Sequence, residues 1–113
     1  MAYAQVNVNF SKAPPACSPD PITVGTGQGG VEWQAVQAGY TFTGVQIEDS
    51  SGVWHNAPYG DFGAPAFGNN NAGKSTMQVS DTVADSSDWE YKVLYTDPTG
   101  AAHSFDPIIR NNR

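Results

Sequence analysis

The sequence predicts an all-β fold, a β-sandwich of seven to eight short strands. Leu94 is the only leucine and the straight-chain helix formers are scarce, whereas ten Val, eight Thr and thirteen aromatic residues favour a pleated, half-buried surface. Apolar residues alternate with polar ones in several segments, which is the period of a strand with one buried face. Clusters of Gly, Pro and Asn recur about every 8–12 residues, as expected for the turns of a sandwich.

Length and charge limit the classes of function. The 113 residues suit one domain, 1–113, and the net charge of −6 offers no electrostatic footprint for nucleic acid or for an anionic membrane surface. Cys17 is the single cysteine, so an internal disulfide framework is excluded. The start of the chain lacks the basic residues and long apolar run of a secretory signal, and we expect a cytoplasmic protein.

The first half of the chain contains the clearest alternation. Residues 4–10 place Ala, Val, Val and Phe on one face, and four prolines in 11–21 then predict an extended loop. Further strands are predicted at 22–24, 31–37 and 40–49, with a Gly-rich turn at 25–30 and a junction at Ala38-Gly39.

The second half predicts a short strand at 53–55, and then a long Gly/Asn/aromatic loop at 56–74. Strands follow at 75–80, 89–95 and 101–109, with a polar tail at 110–113. Asp97-Pro98-Thr99-Gly100 is a good type I turn, which makes 89–109 a hairpin. The predicted core consists of Val6, Val8, Phe10, Trp33, Phe42, Val45, Ile47, Trp89, Tyr91, Val93, Phe105 and Ile108.

Two glycine motifs resemble nucleotide sites, but their context is wrong. Gly68 to Ser75 fits the phosphate-loop pattern, in which backbone N–H groups, a Lys and a hydroxyl hold phosphates and magnesium between a strand and a helix. Gly25 to Gly30 fits the dinucleotide pattern, with Glu48 at a suitable distance for a ribose. Since β-forming residues follow both motifs, we interpret them as turns between strands and predict no nucleotide cofactor.

No metal or catalytic constellation stands out in the sequence. His55, His103, Cys17 and Met77 are the residue types of a mononuclear copper site, but Cys17 lies far upstream of the order expected for such ligands. Asp85, Asp88 and Glu90 read as a solvated acidic face, and no nucleophile has an evident base and orienting acid. We therefore predict no metal, no cofactor and no catalytic residues.

The chain contains Val31-Glu32-Trp33, then the stretch from Tyr40 to Ile47, and an ending from Tyr91 to Asn111 that includes Asp106-Pro107-Ile108-Ile109. Together these stretches resemble the small bacterial DP-EP family, which is named for short Asp-Pro and Glu-Pro motifs; the chain has no Glu-Pro pair. The resemblance covers about the C-terminal three quarters of the chain. It implies a sandwich of immunoglobulin or cupredoxin shape, and it transfers no activity. In physical terms, Asp-Pro sets the start of the last strand and protects a sheet edge.

The leading functional hypothesis is a non-enzymatic binding or interaction module. Its candidate ligand residues are the aromatic and His side chains in and beside the long loop, which would suit a carbohydrate or a protein: Trp54, His55, Tyr59, Phe62 and Phe67. One alternative is a small-molecule or nucleotide-dependent enzyme that uses the Gly-rich loops, with its chemistry centred on Lys74 or on His55 and His103. The other is a structural subunit of a homo-oligomer. Burial of Trp54, Tyr59 and Phe62 would favour a structural role for the domain, whereas convergence of the two His and a carboxylate in one cleft would favour the enzyme.

Overall fold

Two β-sheets packed face to face form the protein in the computed structural model, which describes residues 3–12, 15–18, 22–25, 27–60, 62–70, 72–82, 87–106 and 108–112. Within those residues the regular structure is eleven strands and no helix, which confirms the all-β sandwich. The strands are β1 (Ala4–Asn9), β2 (Ala16–Ser18), β3 (Ile22–Gly25), β4 (Gly30–Ala35), β5 (Thr41–Glu48), β6 (Trp54–Asn56), β7 (Ala66–Asn69), β8 (Ser75–Ser80), β9 (Ser87–Thr96), β10 (Ala102–Phe105) and β11 (Ile108–Asn112).

The first sheet has the order β2-β1-β4-β8-β7 and the second the order β3-β11-β9-β5-β6, with β10 also paired to β9. The pairs β1–β4 and β3–β11 are parallel, and the other pairs are antiparallel. The structure has more strands than predicted because parts of two segments predicted as loops form strands. Residues 16–18 of the proline-rich segment pair with β1, and residues 66–69 of the predicted 56–74 loop pair with β8.

The last predicted strand is divided in two. β10 pairs with the second half of β9 and β11 with the first half, and β5 occupies the opposite edge of β9. The division falls at Asp106-Pro107, although Pro107 itself lies outside the described residues. Residues 110–112, predicted as a polar tail, continue β11 because their backbone pairs with β9 and β3.

The inner faces of both sheets form one apolar core. Ten of the twelve predicted core residues are buried: Val6, Val8, Phe10, Trp33, Phe42, Val45, Ile47, Tyr91, Val93 and Phe105. Trp89 is instead half-buried, because it lies at the margin of the core with its ring edge-on to Phe62, at 5.4 Å between centroids. The side chain of Ile108 lies outside the described part of the structure, and its neighbour Ile109 is fully buried.

A β-bulge in β5 explains how Phe42 and Val45 are both buried. Strict alternation would put them on opposite faces of the strand. The pairing with β9 shifts register between Phe42 and Gly44, so the extra residue Thr43 reverses the phase of the strand. Both side chains therefore point into the core, and Gly44 occupies a position on the outward face of the strand.

Candidate binding surface

The outward face of the second sheet carries a regular grid of side chains, because residues paired directly across antiparallel strands share a face. Ser104, Leu94 and Gly44 form one row across β10, β9 and β5. Lys92, Gln46 and Asn56 form the next row across β9, β5 and β6. We call this surface the outer face. Its floor is backbone that is already hydrogen-bonded between strands.

A first hollow of about 280 Å³ lies where β5 meets the segment that leads into β7. Gly44 and Leu94 line its floor, Pro65 and Phe67 one wall, and Asn56 its polar rim. β6 is only three residues long and its pairing with β5 begins at Gln46. The next residue, Ala57, donates its backbone N–H to the Val45 carbonyl at 3.0 Å, and β6 does not extend beside Thr43 and Gly44. Phe67 is 53% exposed, since β7 is the edge of the first sheet and extends beyond the cover of the second.

A second hollow of about 510 Å³ lies on the other side of β9. It is lined by Lys92, Ser104, Phe105 and Asp106, at the point where β10 ends. Ser104 and Asp106 are exposed, whereas Phe105 is buried and closes the bottom. The Ser104–Leu94–Gly44 row therefore connects the two hollows across three strands.

Lys92 and Trp54 are in contact across the outer face. The Lys92 ammonium lies 4.3 Å from the centroid of the Trp54 ring, a cation–π distance. Because Trp54 is on β6, the charge of Lys92 points away from β10. Beside this pair, Glu48 has its pKa raised above the ordinary value, first by a side-chain hydrogen bond with Glu90, then by partial burial and by the charges of Glu90 and Asp49.

Two hairpins with the same pattern of Asp, Gly and His position the two sides of the outer face. Asp49, Gly52 and His55 recur as Asp97, Gly100 and His103, at the first, fourth and seventh positions of each segment. The first hairpin joins β5 to β6 and carries Trp54 and Asn56, and the second joins β9 to β10 and carries Ser104.

The hydrogen bonds donated by backbone N–H groups match between the two hairpins, and Asp97 Oδ1 in addition accepts from the Thr99 hydroxyl at 2.6 Å. Asp49 Oδ1 accepts from the backbone N–H groups of Ser51 and Val53 at 2.8 and 3.0 Å, and Asp97 Oδ1 accepts from those of Thr99 and Ala101 at 2.9 and 3.0 Å. The Gly residues have φ of 82° and 88°, in the left-handed region.

Each His closes its own hairpin. The Nε2 atoms of His55 and His103 lie 2.7 and 2.8 Å from the second carboxylate oxygen of Asp49 and Asp97. A carboxylate only accepts, so each Nε2 carries the hydrogen. Hydrogen bonds lower the pKa of both carboxyls, chiefly from His55 for Asp49 and from Thr99 and His103 for Asp97.

The structure separates the two His rather than bringing them together. β5 and β9 are antiparallel, so the hairpins that follow them lie at opposite ends of the sheet. In the residues that the structure describes, no group of three His, Cys, Asp or Glu side chains is close enough to hold a metal ion. The arrangement positions strands and provides no joint His site.

The five predicted ligand residues have different environments. Trp54 is half-buried on the outer face and Phe67 is exposed at the first hollow. His55 and Tyr59 are half-buried and stacked on each other, with centroids 4.0 Å apart. Phe62 is only 3% exposed and belongs to the core, so it is not available to a ligand.

Sequence reasoning missed the other residues of the surface, namely Gly44, Lys92, Leu94, Asn56 and Ser104. Their place on the surface depends on pairing between distant strands. One signal was present in the sequence: the repeated Asp-x-x-Gly-x-x-His spacing, which marks the two hairpins that frame the outer face.

Each glycine motif begins in one strand, spans a turn and ends in the next strand. Gly68 to Ser75 runs from β7 to β8, with Asn71 outside the described residues, and Asn70 Oδ1 accepts from the backbone N–H groups of Ala72 and Lys74, at 2.9 and 3.0 Å. Gly25 to Gly30 connects β3 to β4, although Thr26 is outside the described residues. Neither motif leads into the helix that a phosphate site of its type needs.

No family model matches the chain, and no characterised protein matches it significantly. Across the described residues, no helix has the length and apolar character needed to cross a bilayer.

Proposed function

We propose that the protein is a non-enzymatic binding module and that its outer face holds a neutral carbohydrate. The observation that carries this proposal is the first hollow, which is lined by the exposed ring of Phe67, the apolar side chain of Leu94 and the amide of Asn56, with Gly44 leaving space among them. A sugar ring has an apolar C–H face and a rim of hydroxyls. The C–H face suits the negative face of an aromatic ring, and the hydroxyls suit the Asn56 amide.

The charge of the protein supports a neutral ligand. The net charge of −6, with Glu48 and Glu90 on the outer face, disfavours polyanions such as nucleic acids and acidic polysaccharides. The charge of Lys92 is engaged with Trp54.

The backbone supports a carbohydrate over an extended peptide. A peptide that binds by strand addition needs an open sheet edge. Along the row Ser104–Leu94–Gly44 the backbone is engaged in the β10–β9 and β9–β5 ladders, so a ligand that crosses this row cannot bind it by strand addition. Recognition there depends on apolar faces and hydroxyls.

The resemblance to the DP-EP family remains a proposal beside this one. The two-sheet arrangement and the strand break at Asp106-Pro107 support it. We further propose an immunoglobulin or cupredoxin shape for the sandwich. Neither proposal contributes to the choice of ligand.

The test is a glycan array followed by calorimetric titration of the wild type and two variants. Phe67→Ala removes the exposed ring and is expected to weaken binding of a neutral glycan at least tenfold, about 1.4 kcal/mol. Val36→Ala is the matched control, since Val36 is also an exposed apolar side chain, at 43%, but lies in the turn between β4 and β5. Equal loss in both variants, or an array without any neutral glycan signal, would overturn the proposal.

A further inference from the structure

We propose that the two hollows are successive subsites of one binding site, whose ligand is a linear neutral oligosaccharide lying across strands β5, β9 and β10. This inference rests on the proposed function and specifies the length and direction of the ligand. It adds a second subsite, around Ser104 and Asp106, to the first one beside Phe67.

The spacing of the hollows fits a chain. Gly44, at the first hollow, and Ser104, at the second, lie on either side of Leu94 in one cross-strand row. Adjacent strands are about 4.8 Å apart, so the row from Gly44 to Ser104 spans about 10 Å. A chain with a sugar in each hollow crosses the strands along this row and passes over Leu94, which is half-buried and apolar.

The chemistry of the second hollow also suits a polyol. The Lys92 ammonium is held over Trp54 on the far side of β9, so the side chain borders the hollow with its aliphatic stem. The remaining polar groups are the Ser104 hydroxyl and the Asp106 carboxylate. Both accept hydrogen bonds from sugar hydroxyls, and a carboxylate disfavours an anionic ligand.

The two hairpins hold the subsites in a fixed relation. Each Asp is bonded to two backbone N–H groups and to the His of its own hairpin, which limits the movement of β6 and β10 against the sheet. The Asn56 rim of the first hollow and the Ser104 rim of the second are therefore arranged before the ligand arrives, so less ordering is needed on binding.

The experiment is a chain-length series of β-1,4-linked glucose, mannose and xylose oligomers, from one to six units, titrated into ¹⁵N-labelled protein. We expect single units to shift the amide signals of Gly44 and Leu94 alone, and oligomers of three or more units to shift those of Ser104 and Phe105 as well. Affinity is expected to rise at least tenfold between the short and the long members of the bound series.

Ser104→Trp separates the subsite proposal from the proposed function, because Ser104 is exposed and a large ring there fills the second hollow. This variant should lose the gain in affinity with length that the wild type shows. Thr23→Trp, at an exposed position on β3, is the matched control and should keep the gain.

The outcomes distinguish the two proposals. A length gain that persists in Ser104→Trp, or shifts confined to Gly44 and Leu94 at every length, would overturn the subsite proposal and leave the proposed function standing. Shifts at neither hollow with any of the three series, together with an array that gives no neutral glycan signal, would overturn both.

Discussion

Trp33 and Tyr91 show how single residues join the two sheets. Trp33 is on β4 of the first sheet and Tyr91 on β9 of the second, and both are fully buried. The Trp33 indole Nε1–H donates to Tyr91 Oη at 2.9 Å, with the ring centroids 5.2 Å apart. The bond satisfies a donor that would otherwise be buried without water, so it stabilises this particular packing of the sheets.

Tyr91→Phe is therefore expected to lower the free energy of unfolding by about 1–3 kcal/mol, since it leaves the Trp33 N–H buried without this acceptor. Tyr40→Phe is the control, because Tyr40 is half-buried and its ring stays stacked on Phe10, with centroids 4.3 Å apart. Urea denaturation of both variants measures the difference. A Tyr91→Phe protein as stable as the control would show that the bond contributes nothing net.

Gly30, at the start of β4, lies too close to the backbone of β8 to accept a side chain. Its φ is 152°, and a Cβ there would lie 2.0 Å from the Val79 carbonyl oxygen on β8. Gly30→Ala is expected to cost about 3 kcal/mol or more, because backbone would have to move against backbone. Gly27→Ala, where a Cβ meets nothing within 4 Å, is the control. Thermal melts of the two proteins decide it, and similar Tm values would contradict the expected clash.

At the scale of the element, one turn geometry is used for three hairpins. In the hairpins after β5, β7 and β9, the first residue is Asp49, Asn70 or Asp97, and its Oδ1 accepts from the backbone N–H groups two and four residues later. Only the two Asp hairpins add a His, with Thr76 at the equivalent position of the third. The Asp–His bond is therefore an addition to a turn that forms without it.

This comparison predicts the effect of Asp97→Asn. The pKa of Asp97 is lowered by its hydrogen bonds, so its contribution to stability is present above the unfolded pKa of about 3.9 and is lost as pH falls through the lower folded pKa. Asn keeps the acceptor Oδ1, as Asn70 does, but carries no charge.

We therefore expect Asp97→Asn to have a lower Tm than the wild type at pH 7, and the difference to shrink as pH falls from about 5 to 2. Circular dichroism melts across this range provide the measurement. A Tm difference that stays constant with pH would contradict the role of the Asp97 carboxylate.

Neighbouring residues of β9 lie on opposite faces of the second sheet, which predicts different effects when they are replaced. Val93 is fully buried, whereas Lys92 lies on the outer face with its ammonium over Trp54. Val93→Ala is expected to cost about 2 kcal/mol and Lys92→Ala about 0.5 kcal/mol. Chemical denaturation compares them, and a Lys92 variant that is the weaker would reverse the assignment of faces. Greater stability of the 89–109 unit than of other strands remains a prediction for hydrogen exchange.

At the scale of the whole molecule, the net charge of −6 and the all-β architecture act together against polyphosphate ligands. The Lys74 hairpin offers no helix N-terminus, and the protein's overall field repels an anion. We expect calorimetry with ATP and magnesium to give no saturable heat. A micromolar isotherm that disappears in Lys74→Ala would contradict this expectation and would restore the nucleotide hypothesis.

The sequence by itself determined which side chains point inward and where most strands lie. Alternation in β1 and β9 and the Asp97–Gly100 turn are local features, since side-chain direction and turn type depend on residues within a few positions. The fold class and ten of the twelve predicted core residues follow from such local signals.

Only the tertiary structure decided the remainder. Three features depend on pairing between strands that are far apart in the sequence. They are the bulge at Thr43, the pairing of residues 16–18 and 66–69 as edge strands, and the edge of β9 that β10 and β11 share. The same is true of the binding surface, where Phe67 from the first sheet lines the same hollow as Gly44 and Leu94 from the second. The alternation of apolar and polar residues predicts on which face of its strand a side chain lies. It does not predict which strand will lie beside it, because strand order depends on how both sheets pack around one core.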